Sequence, residues 1–147
     1  MPLHNAEQSS TFASGGITLR NPNNAIDGDF STVSITLATN FDYWIAELVN
    51  RTEIISLFVS TNLDTVQRGY HRNLKVETRL KITDQWKSCK EDVKWVKDYN
   101  HHRIECDNQT TAKHIRISRE GTSRTGSQGL TLSEVTVLGV PIGKMKL

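Results

Sequence analysis

Chemistry-bearing side chains are densest between Asn62 and Arg72, where Asp64, Gln67, Arg68, Tyr70, His71 and Arg72 follow one another closely. Arginine and tyrosine are the side chains that most often anchor a binding surface. An ordinary solvated hairpin loop has the same composition, so the segment reads either as a binding loop or as a plain connection. The other reactive residues do not converge. His101, His102, His114 and Ser118 are scattered over strand edges, and carboxylates do not recur at pairing distances. There is no Gly-x-Ser-x-Gly, His-Glu-x-x-His or phosphate-binding loop. His101-His102 reads as a polar turn rather than a ligand pair. Recognition is therefore expected, and catalysis is not.

Cys89 and Cys106 are the two cysteines. One pair cannot fill a four-ligand zinc site, and a set completed by His101 and His102 has the spacing of no common zinc module. A disulfide is the better reading, contributing on the order of 3 kcal/mol for a loop of this length. It points to an oxidising compartment. Two glycosylation sequons agree, with Asn50 in Asn50-Arg51-Thr52 and Asn108 in Asn108-Gln109-Thr110. An extracellular setting follows, secreted or as the ectodomain of a cell-surface protein. Met1-Pro2-Leu3-His4 has neither a basic nor an apolar signal region, so Met1 reads as a start placed before a mature or excised domain.

Composition narrows the partners. Hydrophobic residues make up 36% and charged residues 23% of the 147 residues, as in a soluble globular chain. A formal charge of +2, with Lys75, Arg79, Lys81 and Lys94 spread through strands, implies solvated faces rather than a nucleic-acid stripe. No apolar run approaches the roughly 18–20 residues that span a bilayer.

The elements that must carry these residues are strands. The first forty residues, rich in Ser, Thr, Asn and Gly, read as loops and short extended pieces. Two strands are expected at Trp44–Val49 and Ile54–Ser60, joined by the polar Asn50-Arg51-Thr52-Glu53. From Leu74 to Ile82 apolar and charged residues alternate, which predicts a strand with one buried and one wet face. Shorter strands are expected at 93–96, 103–106 and 114–118, with a closing strand over 130–138. Cys89 and Cys106 would staple the excursion between them to the sheet. No segment has helical periodicity. The expectation is one domain over residues 1–147: all-β, a jelly-roll sandwich of about eight antiparallel strands.

Several motifs carry a family resemblance. Gln8-Ser9-Ser10-Thr11 and Asn24-Ala25-Ile26-Asp27-Gly28-Asp29 resemble the opening of discoidin-like and F-type lectin (fucolectin) domains. Tyr43-Trp44-Ile45-Ala46-Glu47-Leu48 resembles the family's Trp-x-x-Asp-Leu strand, with Glu47 for Asp. Cys106-Asp107-Asn108 and Ala112–Ile117 resemble the stretch after the family's second cysteine. Leu130–Val137 resembles the closing Leu-x-Leu-Cys-Glu-Val-x-Val, with Ser133 for Cys. Order and spacing hold from about residue 5 to 140.

The resemblance implies a structural calcium. Asp27 and Glu134 would bind through side chains, Asn24, Asp29 and Ser133 through backbone oxygens, with Ser34 a further contributor. Calcium takes six to eight oxygens, and Gly28 lets the loop turn its carbonyls and Asp27 inward. The other reading is a turn in which Asp27 caps its own backbone and Glu134 is simply exposed.

The sugar motif departs from the family pattern. Members that bind fucose use a His, then Arg-x-Asp and a second Arg. No His lies between Ser31 and Trp44, where Thr36 or Leu37 falls nearest. Asn62-Leu63-Asp64 stands for Arg-x-Asp, and Thr65-Val66 replaces a cysteine pair that many members carry. Asp64 is kept, and Arg68 or Arg72 supplies the second Arg. The expected function is lectin-like carbohydrate recognition with a degenerate fucose motif, engaging a glycan or glycoprotein through Asp64, Arg68, Tyr70, His71 and Arg72. The alternative is a protein ligand, with the chain serving as an adhesion or recognition domain of a receptor ectodomain. Membrane docking through Phe30, Leu37 and Phe41 is the weaker class, since these read as packing residues. Clustering into an oligomer would add avidity.

Overall fold

A computed structural model gives the fold and describes residues 3–11, 21–29, 31–37, 41–61, 74–93, 101–120 and 128–142. Nine strands lie among them: β1 (Leu3–Gln8), β2 (Ser34–Leu37), β3 (Phe41–Ser60), β4 (Leu74–Arg79), β5 (Lys87–Val93), β6 (His101–Ile104), β7 (Thr110–Glu120), β8 (Gln128–Leu132) and β9 (Glu134–Pro141). Every pairing is antiparallel. The architecture is the expected all-β sandwich, with β1 and β2 among the short extended pieces expected in the first forty residues.

β3 organises it. Its first half lies in the order β1-β3-β7-β4-β5, and its second half pairs with β6 and β9. One strand thus serves both layers, turning the corner through irregular pairing as strands that switch sheets do. Where β7 spends the single residue Lys113, β3 spends Leu48 to Arg51. Lys113 Nζ donates to the carbonyls of Leu48 (2.6 Å) and Val49 (2.9 Å), and the Ile142 N–H donates to that of Arg51 (2.9 Å). These bonds satisfy the excursion's backbone, so the polar Asn50–Glu53 stretch continues one strand instead of separating two.

A second bulge follows. Ile54 and Ser56 pair with the adjacent Gly139 and Leu138, which leaves Ile55 over. One extra residue reverses the inside–outside phase. Accordingly Asp42, Trp44, Ala46 and Leu48 are buried before the corner, and Leu57 and Val59 after it. At the crossing, a Cβ on Gly139 would lie 2.5 Å from Thr52 Cγ2 and 2.6 Å from the Glu53 carbonyl oxygen, so the close approach requires glycine.

Side chains from both layers meet in one buried cluster, including Trp44, Leu48, Leu57, Val59, Val76, Ile115, Ile117, Leu132 and Val137. Cys89 in β5 is bonded to Cys106 just beyond β6. The bond therefore joins an edge strand of one layer to the end of a strand in the other.

Other boundaries differ from expectation. The 74–82 strand stops at Arg79, because the Asp84 N–H donates to the Lys81 carbonyl (2.9 Å) and Asp84 Oδ2 accepts from the Lys81 N–H (3.0 Å), closing a turn. Its wet face is also interrupted: Glu77 is buried, held by Arg116 Nε (3.0 Å) and Nη2 (2.7 Å). The strand expected at 93–96 is instead Lys87–Val93, and 94–96 lie outside the described residues. His101-His102 opens β6 rather than forming a turn, paired with Ser60 and Val59. The closing strand is broken at Ser133, whose N–H donates to the Ser60 carbonyl (2.7 Å) as the chain passes from β8 to β9.

Candidate functional site

A short 3-10 helix, Pro22–Ile26, opens the calcium-candidate loop. Asn21 caps it by accepting from the Asn23 N–H (2.9 Å), and Pro22 occupies the first turn, where no N–H is needed. The buried Trp44 donates its indole N–H to the Pro22 carbonyl (2.9 Å), and Asn24 Nδ2 donates to the Val33 carbonyl (2.9 Å). The core thus fixes where the loop begins.

Gly28 has φ 77°, the left-handed conformation that glycine adopts without cost. Its N–H points at the Glu134 carboxylate, 3.2 Å from each oxygen. Asp27 Oδ1 accepts from the Asp29 N–H (2.9 Å), and Asp29 Oδ1 from the Ser31 N–H (2.9 Å) and hydroxyl (2.6 Å). Thr32 Oγ1 lies 2.5 Å from Asp27 Oδ2, 3.0 Å from the Asp29 carbonyl oxygen and 3.3 Å from that of Asn24. Three acceptor oxygens ring a hydroxyl that has one proton to give.

Of the turn reading, one half is seen and the other is not. Asp27 does cap its own backbone, yet Glu134 is buried, at 7% exposure, and bonded to the loop. Burial pushes the Glu134 carboxyl above its usual range. The Gly28 N–H opposes that shift, and the nearby charges of Asp27 and Asp29 add to it. Asp29 moves the other way, lowered by its bonds from Ser31.

The donor set fits a hard cation. No ion pair among the described residues involves Asp27, Asp29 or Glu134. Among those residues no three His, Cys, Asp or Glu side chains form a metal-holding group. An ion here would take two carboxylates and draw its remaining oxygens from the backbone, where the Asn24 and Asp29 carbonyls already converge. Ser34 stands opposite Leu132 in β2–β8, and Ser133 immediately precedes Glu134.

Thr61 and Leu74 flank the expected ligand loop in the sequence. Ser60 is paired with Glu134, and Thr61 Oγ1 donates to the Thr131 carbonyl (2.8 Å). The chain returns at Leu74, paired with Arg119. Asp64, Arg68, Tyr70, His71 and Arg72 themselves lie outside the described residues, as does Phe30. Phe41 is half-buried, its ring 5.9 Å from that of Tyr43 and 5.3 Å from the Arg116 guanidinium. Leu37 ends β2.

One pair escaped the sequence reading. Asp42 and Arg119 face each other across β3 and β7, 0% and 4% exposed, with Arg119 Nε donating to Asp42 Oδ2 (2.9 Å). The available signal was Asp42's position two residues before Trp44, in phase with the inward face.

No family model matches the chain, and no curated protein sequence does. Solved structures do. An F-type lectin (fucolectin) from striped bass, Morone saxatilis, serum superposes with a TM-score of 0.76 at 17% identity, over 93% of this chain and 47% of that one. This chain has the F-type lectin fold. It spans about half the length of the bass lectin. The F-type lectin fold is similar also to chitosan-binding module 1 of a Paenibacillus chitosanase/glucanase, with TM-score 0.72, 16% identity, and 92% and 94% of the two chains covered. The lectin domain of lectinolysin, complexed with Lewis B antigen, gives 0.72 at 18% identity, covering 91% of each chain.

Proposed function

We propose that the chain is an extracellular carbohydrate-binding module, stabilised by calcium, that recognises its glycan without catalysis through the loop between Thr61 and Leu74. The observation that carries the reading is the fold shared with lectins and carbohydrate-binding modules over more than nine-tenths of the chain. The Cys89–Cys106 bond supports the extracellular setting. When bound, calcium supplies the positive charge that Asp27, Asp29 and Glu134 otherwise lack. Asp27 and Glu134 would hold it by side chains, and Asn24, Asp29, Ser133 and Ser34 would complete the oxygen set. Its role would be to fasten the N-terminal loop to β9.

In that loop Arg68, His71 and Arg72 supply donors, Asp64 accepts, and Tyr70 offers a ring face. Ordinary fucose recognition is weakened, because no His lies between Ser31 and Trp44 and Asn62 stands in place of the first Arg. Each charge-assisted hydrogen bond lost removes roughly 1.5–3 kcal/mol. Two of them amount to about a hundredfold or more in affinity.

Calorimetric titration with free fucose tests this directly. The expected result is no saturable binding, and a low-micromolar dissociation constant would sink the altered-specificity reading. Arg68→Ala with Arg72→Ala is expected to abolish binding of whichever glycan the protein does take. Unchanged binding would move the site elsewhere on the sandwich.

A further inference from the structure

We propose that Asn108 carries an N-linked glycan and that the groove beside it seats the first sugar of that glycan. Asn108 belongs to Asn108-Gln109-Thr110 and is exposed in the turn between β6 and β7. The turn is firmly held: the Asp107 N–H donates to the Cys89 carbonyl (2.8 Å), Lys90 Nζ meets Asp107 Oδ1 (2.8 Å), and Cys106 is in the disulfide. An acceptor on such a turn presents its amide at a fixed place.

Next to it lies a groove of about 380 Å³, lined by Thr78, Arg79, Asp84, Gln85 and Ser88, with Asn108 on its wall. That volume sits at the lower end of small-molecule sites, roughly 300–1,000 Å³, and suits one sugar ring. Its chemistry suits an N-acetylated sugar. Hydroxyls and amides can exchange hydrogen bonds with ring hydroxyls and the acetamido group, while Arg79 and Asp84 add charged donors and acceptors. A tethered sugar reaches the groove at an effective concentration of the order of millimolar, so a weak seat is filled.

Thr110 begins β7, while Leu74 re-enters opposite Arg119 near its far end. Nine residues of strand separate these points, about 30 Å at 3.3 Å per residue, while the groove's Thr78 is four residues from Leu74 along β4. The other sequon differs. Asn50 is half-buried within the β3 excursion, and Thr52 is fully buried.

The proposal rests on the extracellular reading for its occurrence in nature, and the experiment separates the two by sending the chain through a secretory host. Glycopeptide mapping is expected to find Asn108 occupied. The glycosylated protein is expected to melt about 2–5 °C above the same chain made disulfide-bonded in an oxidising bacterial compartment. Enzymatic trimming to a single N-acetylglucosamine should keep that rise. Gln85→Ala should shrink the rise in the glycosylated form and leave the bare protein's melting unchanged, the coupling expected of a direct contact. An unoccupied Asn108, an absent rise, or a rise lost on trimming would overturn the proposal.

Discussion

Replacing Asp42 by alanine is expected to destabilise the protein by about 3–5 kcal/mol, the usual cost of removing one partner of a buried ion pair. Asp42 is fully buried on the inward face of β3, and Arg119 beside it is 4% exposed. Without the carboxylate, a guanidinium remains in the interior without its Asp42 partner. Removing both charges should cost less than removing Asp42 alone, because Asp42→Ala with Arg119→Leu takes away both members of the pair. Urea unfolding of the two variants measures this. A single variant within about 0.5 kcal/mol of the wild type would mean the pair is not holding the strands together. Binding should weaken alongside, since Arg119 stands opposite Leu74, where the chain re-enters from the candidate loop.

Calcium removal should have the next largest effect. An ion bound only by the folded state at a hundred times its dissociation constant contributes about 2.7 kcal/mol. Chelation should therefore lower the melting temperature by roughly 6–10 °C for a chain of this size. Asp27→Ala should remove the response to chelator. The pH dependence gives the sign. Burial, then the charges of Asp27 and Asp29, hold the folded Glu134 carboxyl above its ordinary value. In chelator its contribution is thus fully present below the ordinary glutamate range and is lost as pH rises through the raised folded value. Glu134→Gln should remove that loss, and the wild-type-minus-variant difference cancels the opposite trend from Asp29. With calcium the slope should reverse, because the metal takes the deprotonated carboxylate. Identical melting curves with calcium and with chelator would show that no stabilising ion binds there.

The half-buried strands were legible because alternation reports them directly: Leu74, Val76 and Thr78 are buried as their spacing requires. The Cys89–Cys106 bond was legible from composition. What alternation cannot report is a bulge. The extra residue at Ile55 reverses phase, and the excursion at Leu48–Arg51 looks like a turn until Lys113 and Ile142 are seen satisfying its carbonyls. Buried charge hides for the same reason. Glu77 reads as an outward residue and Asp42 draws no notice, because their partners, Arg116 and Arg119, lie 39 and 77 positions away. The Gly28–Glu134 contact spans 106 positions. No local spacing could place those two groups together; the motif resemblance puts Asp27 and Glu134 at one calcium.

The most direct test of carbohydrate recognition is a glycan array run on the disulfide-bonded protein, once with calcium and once with chelator. The account predicts binding to at least one glycan other than a simple fucoside in calcium, and loss or strong weakening of that binding in chelator. A protein that binds no glycan in either condition, yet retains a specific protein partner from its native tissue, would contradict it.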